Sequence, residues 1–212
     1  TSRADWSREL FNAAKTERID RLSVPLQVVR NASLHQDKEL QDLIEEIYGS
    51  IQPSASKEMT EQIARLTPVV LQRKGSPYDG QPLFNKHCGK CHQLFGKGGG
   101  IGPDLTSYQR TDVQRILENV VDPDREIREG FENHTVYTAD GRVHTGLVID
   151  RDVNVVVLKT ADGRTQNIPR TEIEELSRSN RSVMPTGLLD GLTLEEIQDL
   201  FAYLRSSQPL NN

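Results

Sequence analysis

The segment Cys88-Gly89-Lys90-Cys91-His92 constrains this 212-residue chain more than any other stretch. Two thiols separated by two residues and followed at once by a histidine match the attachment site of a c-type haem. Each thiol can form a thioether with one porphyrin vinyl group, and the turn that follows lets the His92 imidazole reach the iron. Because no other cysteine is present, the sequence predicts one haem c per chain, with His92 as an iron ligand.

Other interpretations of this segment fit less well. A four-sulfur zinc site is excluded because Cys88 and Cys91 are the only cysteines, and a mixed site would need two distant histidines. A thioredoxin-type pair would follow a strand, whereas Leu83 and Phe84 precede the segment in a short helical stretch. Residues 98–100, all glycine, lack the Lys-Ser or Lys-Thr pair of a phosphate-binding loop and are interpreted as a flexible turn.

The second axial position of the iron has several candidates. Met59 shares a helical face with Ile63 and Leu66, which is typical of core packing. Met184 lies in a loop rich in Pro and Gly just before the last predicted helix, where a thioether could reach a haem. The histidine alternatives are His35, His87, His134 and His144, of which His87 is too close to the attachment segment to reach the opposite haem face.

Composition limits the class of protein. The chain has 26 Lys+Arg against 31 Asp+Glu, a formal net charge of -5, and 35% hydrophobic residues. No apolar run approaches the ~20 residues of a membrane span, and no basic surface is offered to nucleic acid. We therefore expect neither a membrane span nor a nucleic-acid partner. Because Thr1 is not an initiator methionine, we expect a processed or excised piece of a longer protein.

Helical periodicity dominates both ends of the chain. Apolar residues at helical spacing predict helices around Trp6–Phe11, over Leu40–Tyr48 and around Met59, and we assign residues 1–75 a structural role. Thr111 with Gln114, and Thr193 with Glu196, have the spacing of capping boxes for two later helices. The apolar stripe of the last predicted helix consists of Ile197, Leu200, Phe201 and Leu204.

A β-rich stretch interrupts these helices. Asp140-Gly141 and Asp162-Gly163 each lie between runs rich in β-branched residues, which is a strong hairpin signal. Four or five short strands over residues 133–176 match the size of a small Sm-like barrel. Without an aromatic stacking platform, this stretch is interpreted as a structural or partner-docking insert rather than an RNA-binding one. If it is autonomous, replacing it with a short linker should leave haem ligation intact.

Several motifs together resemble the cytochrome c haem-binding domain family of planctomycete and verrucomicrobial type. The resemblance covers roughly the last two-thirds of the chain, gives out before about Ser76, and shows no departure from the family pattern in these motifs. They are residues 84–92, 102–106, 116–123, 140–142 with 145–148, and 182–188.

The resemblance implies a mostly helical, class I-like cytochrome c, and together with the hairpin and helix patterns it leads us to expect an α+β fold with the Sm-like barrel inserted. Its parts would be the N-terminal helical segment 1–75, a first cytochrome part 76–132, the insert 133–176 and a second cytochrome part 177–212. The helix before the attachment segment would cross the last helix, so that Leu83 and Phe84 meet Phe201 or Leu204.

The resemblance also implies roles around the haem. Cys88 and Cys91 would bind it covalently, with His92 as the proximal and Met184 as the distal iron ligand. The carbonyl of Pro103 would accept a hydrogen bond from the proximal imidazole and so orient it. Two further residues complete the expected site. Leu105 would pack on the porphyrin, and Arg110 would either pair with a propionate or remain a solvated arginine.

Two functions follow from these expectations. The first is an electron carrier without catalytic residues, with redox donor and acceptor proteins as partners and homo-oligomerisation left open. By the resemblance, it would be a module of a larger extracytoplasmic, periplasmic protein that can also carry a dehydrogenase domain. The second is a haem enzyme or gas-binding sensor with a labile sixth ligand. Persistent ligation by Met184 would favour the carrier.

Overall fold

The computed structural model describes residues 3–49 and 56–211, and within these ranges it contains seven α-helices, a two-stranded ribbon and a five-stranded antiparallel sheet. The predicted mixed α+β class is therefore confirmed. The sheet lies in the chain between the sixth and seventh helices. Consequently the attachment segment and Met184 are separated in sequence by the whole sheet.

Three helices form an N-terminal layer: α1 (Arg3–Lys15), α2 (Leu26–Ser33) and α3 (Lys38–Tyr48). Asp37 begins α3 by accepting a hydrogen bond from the Leu40 amide at 3.1 Å. The buried residues of this layer are Phe11, Val24, Leu26, Val29, Ala32, Leu40 and Ile44, joined by Ile127. Because Ile127 comes from a much later segment, the layer shares its core with the rest of the chain.

Four more helices enclose a second core: α4 (Lys57–Leu71), α5 (Pro77–His87), α6 (Val113–Val121) and α7 (Leu194–Leu204). Although α4 lies in the predicted segment 1–75, its Leu66 and Val70 are buried in the same core as residues of α6 and α7. Met59 packs against this core, as its helical face predicts. The predicted segment 1–75 thus contributes to two different cores.

Helices α5 and α7 cross closely, and a glycine permits the approach. A Cβ atom at Gly80 would lie 1.9 Å from the backbone oxygen of Asp199, so α5 can approach α7 only without a side chain there. Beyond the crossing point, the rings of Phe84 and Tyr203 lie 5.4 Å apart. Phe84, Phe201 and Leu204 share one core, with Leu83 packed against it, as expected.

The helix caps agree only partly with the sequence patterns. The predicted capping box at Thr193 and Glu196 is present, with both reciprocal hydrogen bonds formed. The predicted box at Thr111 and Gln114 is wrong, because Asp112 caps α6 by accepting a hydrogen bond from the Arg115 amide at 3.1 Å. Thr111 and Asp112 could each cap this helix, and the Asp112 carboxylate does so.

A short ribbon follows the attachment segment and consists of β1 (Gln93–Leu94) and β2 (Lys97–Gly98). The intervening Phe95 and Gly96 both adopt positive φ, at 55° and 74°. The first of the three consecutive glycines therefore belongs to a paired strand, and the expected flexible turn is wrong at that position.

The large sheet is an antiparallel meander in the order β6-β5-β4-β3-β7. Its strands are β3 (Glu132–Thr138), β4 (Val143–Arg151), β5 (Val155–Lys159), β6 (Thr165–Pro169) and β7 (Ile173–Ser182). Both predicted Asp-Gly hairpins are present, with Gly141 at φ 82° and Gly163 at φ 83°. One face buries Val136, Val156, Leu158 and Ile168.

The sheet does not close into a barrel, so the Sm-like barrel is not confirmed. Strands β6 and β7 form the two edges, and no backbone pairing joins them within the described residues. Closure would require a matching stagger between the edge strands. Instead, β7 pairs with β3 and ends at Ser182, two residues before Met184.

Within the described ranges, no helix combines the length and apolar character needed to cross a membrane.

Candidate haem-binding site

The attachment segment begins where α5 ends. The amides of Cys88 and Gly89 both donate hydrogen bonds to the Phe84 carbonyl, at 2.8 and 2.7 Å. The amides of Cys91 and His92 in turn donate to the Cys88 carbonyl, at 3.0 and 2.9 Å. This tight turn brings both thiols and the imidazole to the wall of one cleft.

The His92 ring is held on its Nδ1 side. Nδ1 lies 2.9 Å from the carbonyl oxygen of Pro103, as the sequence resemblance implies. Because a carbonyl oxygen can only accept, Nδ1 carries the hydrogen and Nε2 keeps a lone pair in the neutral ring. Burial lowers the pKa of His92, against the opposing effect of the Pro103 hydrogen bond, and this favours the neutral form. Such an imidazole can ligate a metal through Nε2.

Gly102 provides the space that the His92 ring occupies. A Cβ atom at Gly102 would lie 2.5 Å from His92 Cε1 and 2.7 Å from Nδ1. Two other glycines support the same segment, since a Cβ at Gly98 would lie 2.2 Å from the His92 backbone oxygen and one at Gly99 would lie 1.9 Å from that of Lys90. The glycine-rich loop therefore packs directly beneath the attachment segment.

The two cysteines are free and half-buried. Burial raises the pKa of the Cys88 thiol to about 12, with a smaller contribution from the neighbouring Cys91. A thiol-disulfide exchange site requires a lowered thiol pKa, so Cys88 has the opposite property. The raised pKa of Cys88 therefore does not favour thioredoxin-type chemistry.

The cleft that these groups line has a volume of about 190 Å³. The exposed surface of its wall is mostly apolar, as expected for a site that encloses a flat apolar cofactor. The aliphatic and proline lining consists of Ile101, Pro103, Leu105, Ile116, Val120, Pro123, Ile127, Val183, Pro185, Leu188 and Leu204. Both Pro103 and Leu105, which were expected near the porphyrin, lie in this wall.

Met184 lines the same cleft as His92 and is half-buried against the second core. Its amide donates a hydrogen bond to the hydroxyl of Ser182 at 3.1 Å. The other methionine, Met59, packs against the helical core and is absent from the cleft wall. The structure thus brings Met184, and not Met59, to the cleft that contains the attachment segment.

Of the four histidine alternatives, His87 alone lines the cleft. It stands at the end of α5, directly before Cys88, and its buried Nε2 has no hydrogen-bond partner in the described part of the chain. His134 and His144 belong to the sheet, where their Nδ1 atoms contact the Glu132 carbonyl and the Gln166 side chain. His35 lies between α2 and α3.

Arg110 lies at the cleft but is already engaged with backbone. Its guanidinium donates hydrogen bonds to the carbonyls of Leu204 and Ser206, at 2.9 and 2.5 Å, and so caps the end of α7. The same group lies 5.0 Å from the centre of the Phe95 ring. Its Nε atom is buried and has no partner among the described residues. The alternative prediction, that Arg110 is merely solvated, is therefore wrong. Its contact with a haem propionate stays a prediction.

The sheet contributes to the site in a way that sequence patterns did not indicate. Ala161, in the β5–β6 turn, lines the cleft, and the Lys159 ammonium donates a hydrogen bond to the Gly100 carbonyl at 2.7 Å. Phe131, just before β3, also lines it. No local pattern connects these residues to the attachment segment, because the contacts join positions about 60 residues apart in sequence.

The apolar cleft, its paired thiols and its oriented imidazole define the class of covalent haem-binding sites. The particular family follows from comparison: the family model described as Cytochrome c matches residues 78–157, and this part of the chain is a cytochrome c domain. Its cofactor is haem c, an iron porphyrin bound covalently. The match includes the attachment segment but ends before Met184 and α7. Comparison with curated proteins finds no significant match.

The residues present fit this cofactor. Two adjacent free thiols are available for thioethers, and the neutral His92 ring has Nε2 available for iron. The aliphatic wall would cover the porphyrin, and the thioether of Met184 lies in that wall. Among the described residues, no cluster of three or more His, Cys, Asp or Glu side chains could hold a bare metal ion.

Proposed function

We propose that this chain is a one-haem cytochrome c that carries single electrons. In this proposal, Cys88 and Cys91 form the two thioethers, His92 is the proximal ligand and Met184 is the distal ligand. When bound, the haem supplies an iron that accepts and releases one electron. The observation that carries the proposal is that His92 and Met184 line one apolar cleft, whereas Met59 does not.

The chain's own residues would keep the metal environment constant between the two oxidation states. The Pro103 carbonyl fixes the His92 tautomer and the ring orientation, and the absence of a side chain at Gly102 leaves the space that the ring occupies. The aliphatic wall limits access of water to the iron. A thioether in the distal position favours the reduced state relative to water or histidine and therefore raises the potential.

Leu105 and Arg110 would have secondary roles. Leu105 would pack on the porphyrin from the wall that also contains Pro103. The unpaired Nε of Arg110 would donate to a propionate while its terminal nitrogens cap α7. In this arrangement the arginine would connect the haem periphery to the last helix.

The wider setting of the chain is also a proposal. The motifs that resemble the planctomycete and verrucomicrobial type support a class I-like cytochrome that is a module of a larger extracytoplasmic, periplasmic protein. Its partners would be one protein that donates an electron and one that accepts it. We further propose that the strands within 133–176 act as an insert between the two cytochrome parts, 76–132 and 177–212, with 1–75 as a helical docking segment.

Replacing Met184 with alanine tests this function, and Met59→Ala is the matched control. We expect Met184→Ala to abolish the weak near-infrared sulfur-to-iron band, lower the potential and open the reduced haem to carbon monoxide. Met59→Ala should retain the band, at a cost in stability of about 2–5 kcal/mol at most, because Met59 is only partly buried. If Met184→Ala retains the band, Met184 is not the resting ligand, and a sensor or enzyme with a labile sixth ligand becomes the better interpretation.

A further inference from the structure

The carboxylate of Asp124 holds the end of strand β7, two residues before Met184. Its Oδ1 accepts a hydrogen bond from the Ser182 amide at 2.6 Å, and its Oδ2 lies 3.0 Å from a guanidinium nitrogen of Arg181. The Asp124 side chain is 17% exposed, whereas that of Arg181 is 73% exposed. The bond to the Ser182 amide is therefore the better shielded of the two.

Ser182 connects Asp124 to Met184 through hydrogen bonds. While its amide donates to Asp124, its hydroxyl accepts a hydrogen bond from the Met184 amide at 3.1 Å. Two consecutive hydrogen bonds thus connect the carboxylate to the backbone of the cleft-lining methionine. Pro123, directly before Asp124, is buried and lines the same cleft, so both ends of this connection reach the cleft wall.

A second contact fixes the same junction from the N-terminal layer. Arg30 of α2 is 6% exposed, and its guanidinium donates to the Arg125 carbonyl at 3.2 Å and to the Asn180 carbonyl at 3.3 Å. These two carbonyls belong to the segment after α6 and to β7. Arg30 therefore connects the backbone next to Asp124 to strand β7, and Asp124 contacts the end of the same strand.

From these contacts we infer that Asp124 is a positioning residue for the distal ligand: it keeps the Met184 loop closed over the cleft. This inference rests on the proposed function, because it assumes that Met184 ligates the iron. A second consequence concerns the N-terminal layer, which supports the closed loop through Arg30 and needs no contact with the haem itself to do so.

The effect of Asp124 should appear in how readily an external ligand replaces Met184. Imidazole suits iron and can bind only when the distal position is open, so its apparent dissociation constant varies inversely with the open fraction. A hydrogen bond to a charged acceptor is strong enough to change such an equilibrium about tenfold. We expect Asp124→Ala to lower the apparent dissociation constant for imidazole, in the oxidised holoprotein, about tenfold.

Two matched variants separate the amide contact from the ion pair. Asp124→Asn keeps an oxygen that can accept from the Ser182 amide but loses the charge, so its dissociation constant should fall between those of wild type and Asp124→Ala, about threefold below wild type. Arg181→Ala removes only the exposed ion pair and should also remain within about twofold. If Asp124→Ala does not fold, Ser182→Ala removes the acceptor of the Met184 amide and should lower the dissociation constant about fivefold.

A double-mutant cycle shows whether Asp124 acts through Met184. In a Met184→Ala background the distal position is already open, so adding Asp124→Ala should change imidazole affinity less than about twofold. An unchanged affinity in Asp124→Ala alone would overturn the inference while leaving the proposed function intact. An equal tenfold effect in both backgrounds would overturn it as well. Retention of the sulfur-to-iron band in Met184→Ala would instead remove the proposed function, and the inference with it.

Discussion

The Lys159 ammonium donates a hydrogen bond to the Gly100 carbonyl at 2.7 Å and so ties strand β5 to the glycine loop beneath the attachment segment. Close by, the side chain of Ile101 is buried and reaches within 4.0 Å of the Cβ position at Gly163 in the β5–β6 turn. The sheet is therefore in contact with the haem site, even though its hairpins form locally.

This contact changes what removal of the sheet should do. Replacing residues 133–176 with a short linker would remove Ala161 from the cleft wall, the Lys159 contact with the Gly100 carbonyl, and the first four residues of β7, the strand that ends two residues before Met184. We expect the shortened protein to keep its covalent haem but to lose the near-infrared band and bind carbon monoxide when reduced. Absorption spectra of both oxidation states would measure this. An unchanged band would mean that the sheet is autonomous, as the hairpin pattern alone suggests.

A methyl group at Gly102 should disturb the proximal side. In Gly102→Ala the new carbon would clash with the His92 ring, so either the imidazole or the loop must move. We expect a loss of about 1–3 kcal/mol in the free energy of unfolding, together with a shifted reduction potential. Denaturant titration and potentiometry would measure the two effects. The control is Gly100→Ala, where the nearest atom is Lys159 Nζ at 3.7 Å and both quantities should stay near wild type.

The stability of the sheet should depend on pH through His134. Burial is the main cause that lowers the pKa of His134 to about 4, with smaller contributions from Arg178 and Arg151, against the opposing hydrogen bond to the Glu132 carbonyl. The unfolded chain protonates this histidine near its ordinary value of 6.5. Above about pH 6.5 this histidine is neutral in both the folded and the unfolded chain. As the pH falls from 6.5 towards 4, the unfolded chain takes up the proton first, so the free energy of unfolding decreases by at most about 3 kcal/mol.

Replacing His134 with asparagine tests that dependence, because asparagine keeps a donor for the Glu132 carbonyl but does not titrate. The free energy of unfolding of His134→Asn should fall less than that of wild type between pH 6.5 and 4. His35→Asn, in the α2–α3 connection, serves as the control and should follow the wild-type curve. Parallel curves for wild type and His134→Asn would contradict the prediction.

What the sequence could predict was local or chemically distinctive. The attachment segment is contiguous, and only two methionines compete for the distal role, so the cleft-lining groups could be named in advance. The capping box at Thr193 was predictable for the same reason, because both partners lie within one helical turn.

What the sequence could not predict depends on contacts between distant segments. Hairpin signals specify which neighbouring strands pair but not whether the edge strands meet, and the predicted barrel is an open sheet for that reason. The role of Asp124 depends on Ser182, 58 residues later. The fit of Gly102 against His92 is visible only once the loop has folded back on the attachment segment.

The most direct test of the account is the absorption spectrum of the oxidised wild-type holoprotein in the near infrared, followed by addition of carbon monoxide to the reduced protein. Ligation of the iron by the Met184 thioether predicts a weak sulfur-to-iron band and no carbon monoxide complex at moderate gas concentrations. A spectrum without that band, together with ready formation of the carbon monoxide complex, would contradict the assignment of Met184 and with it the proposal that the chain is a simple electron carrier.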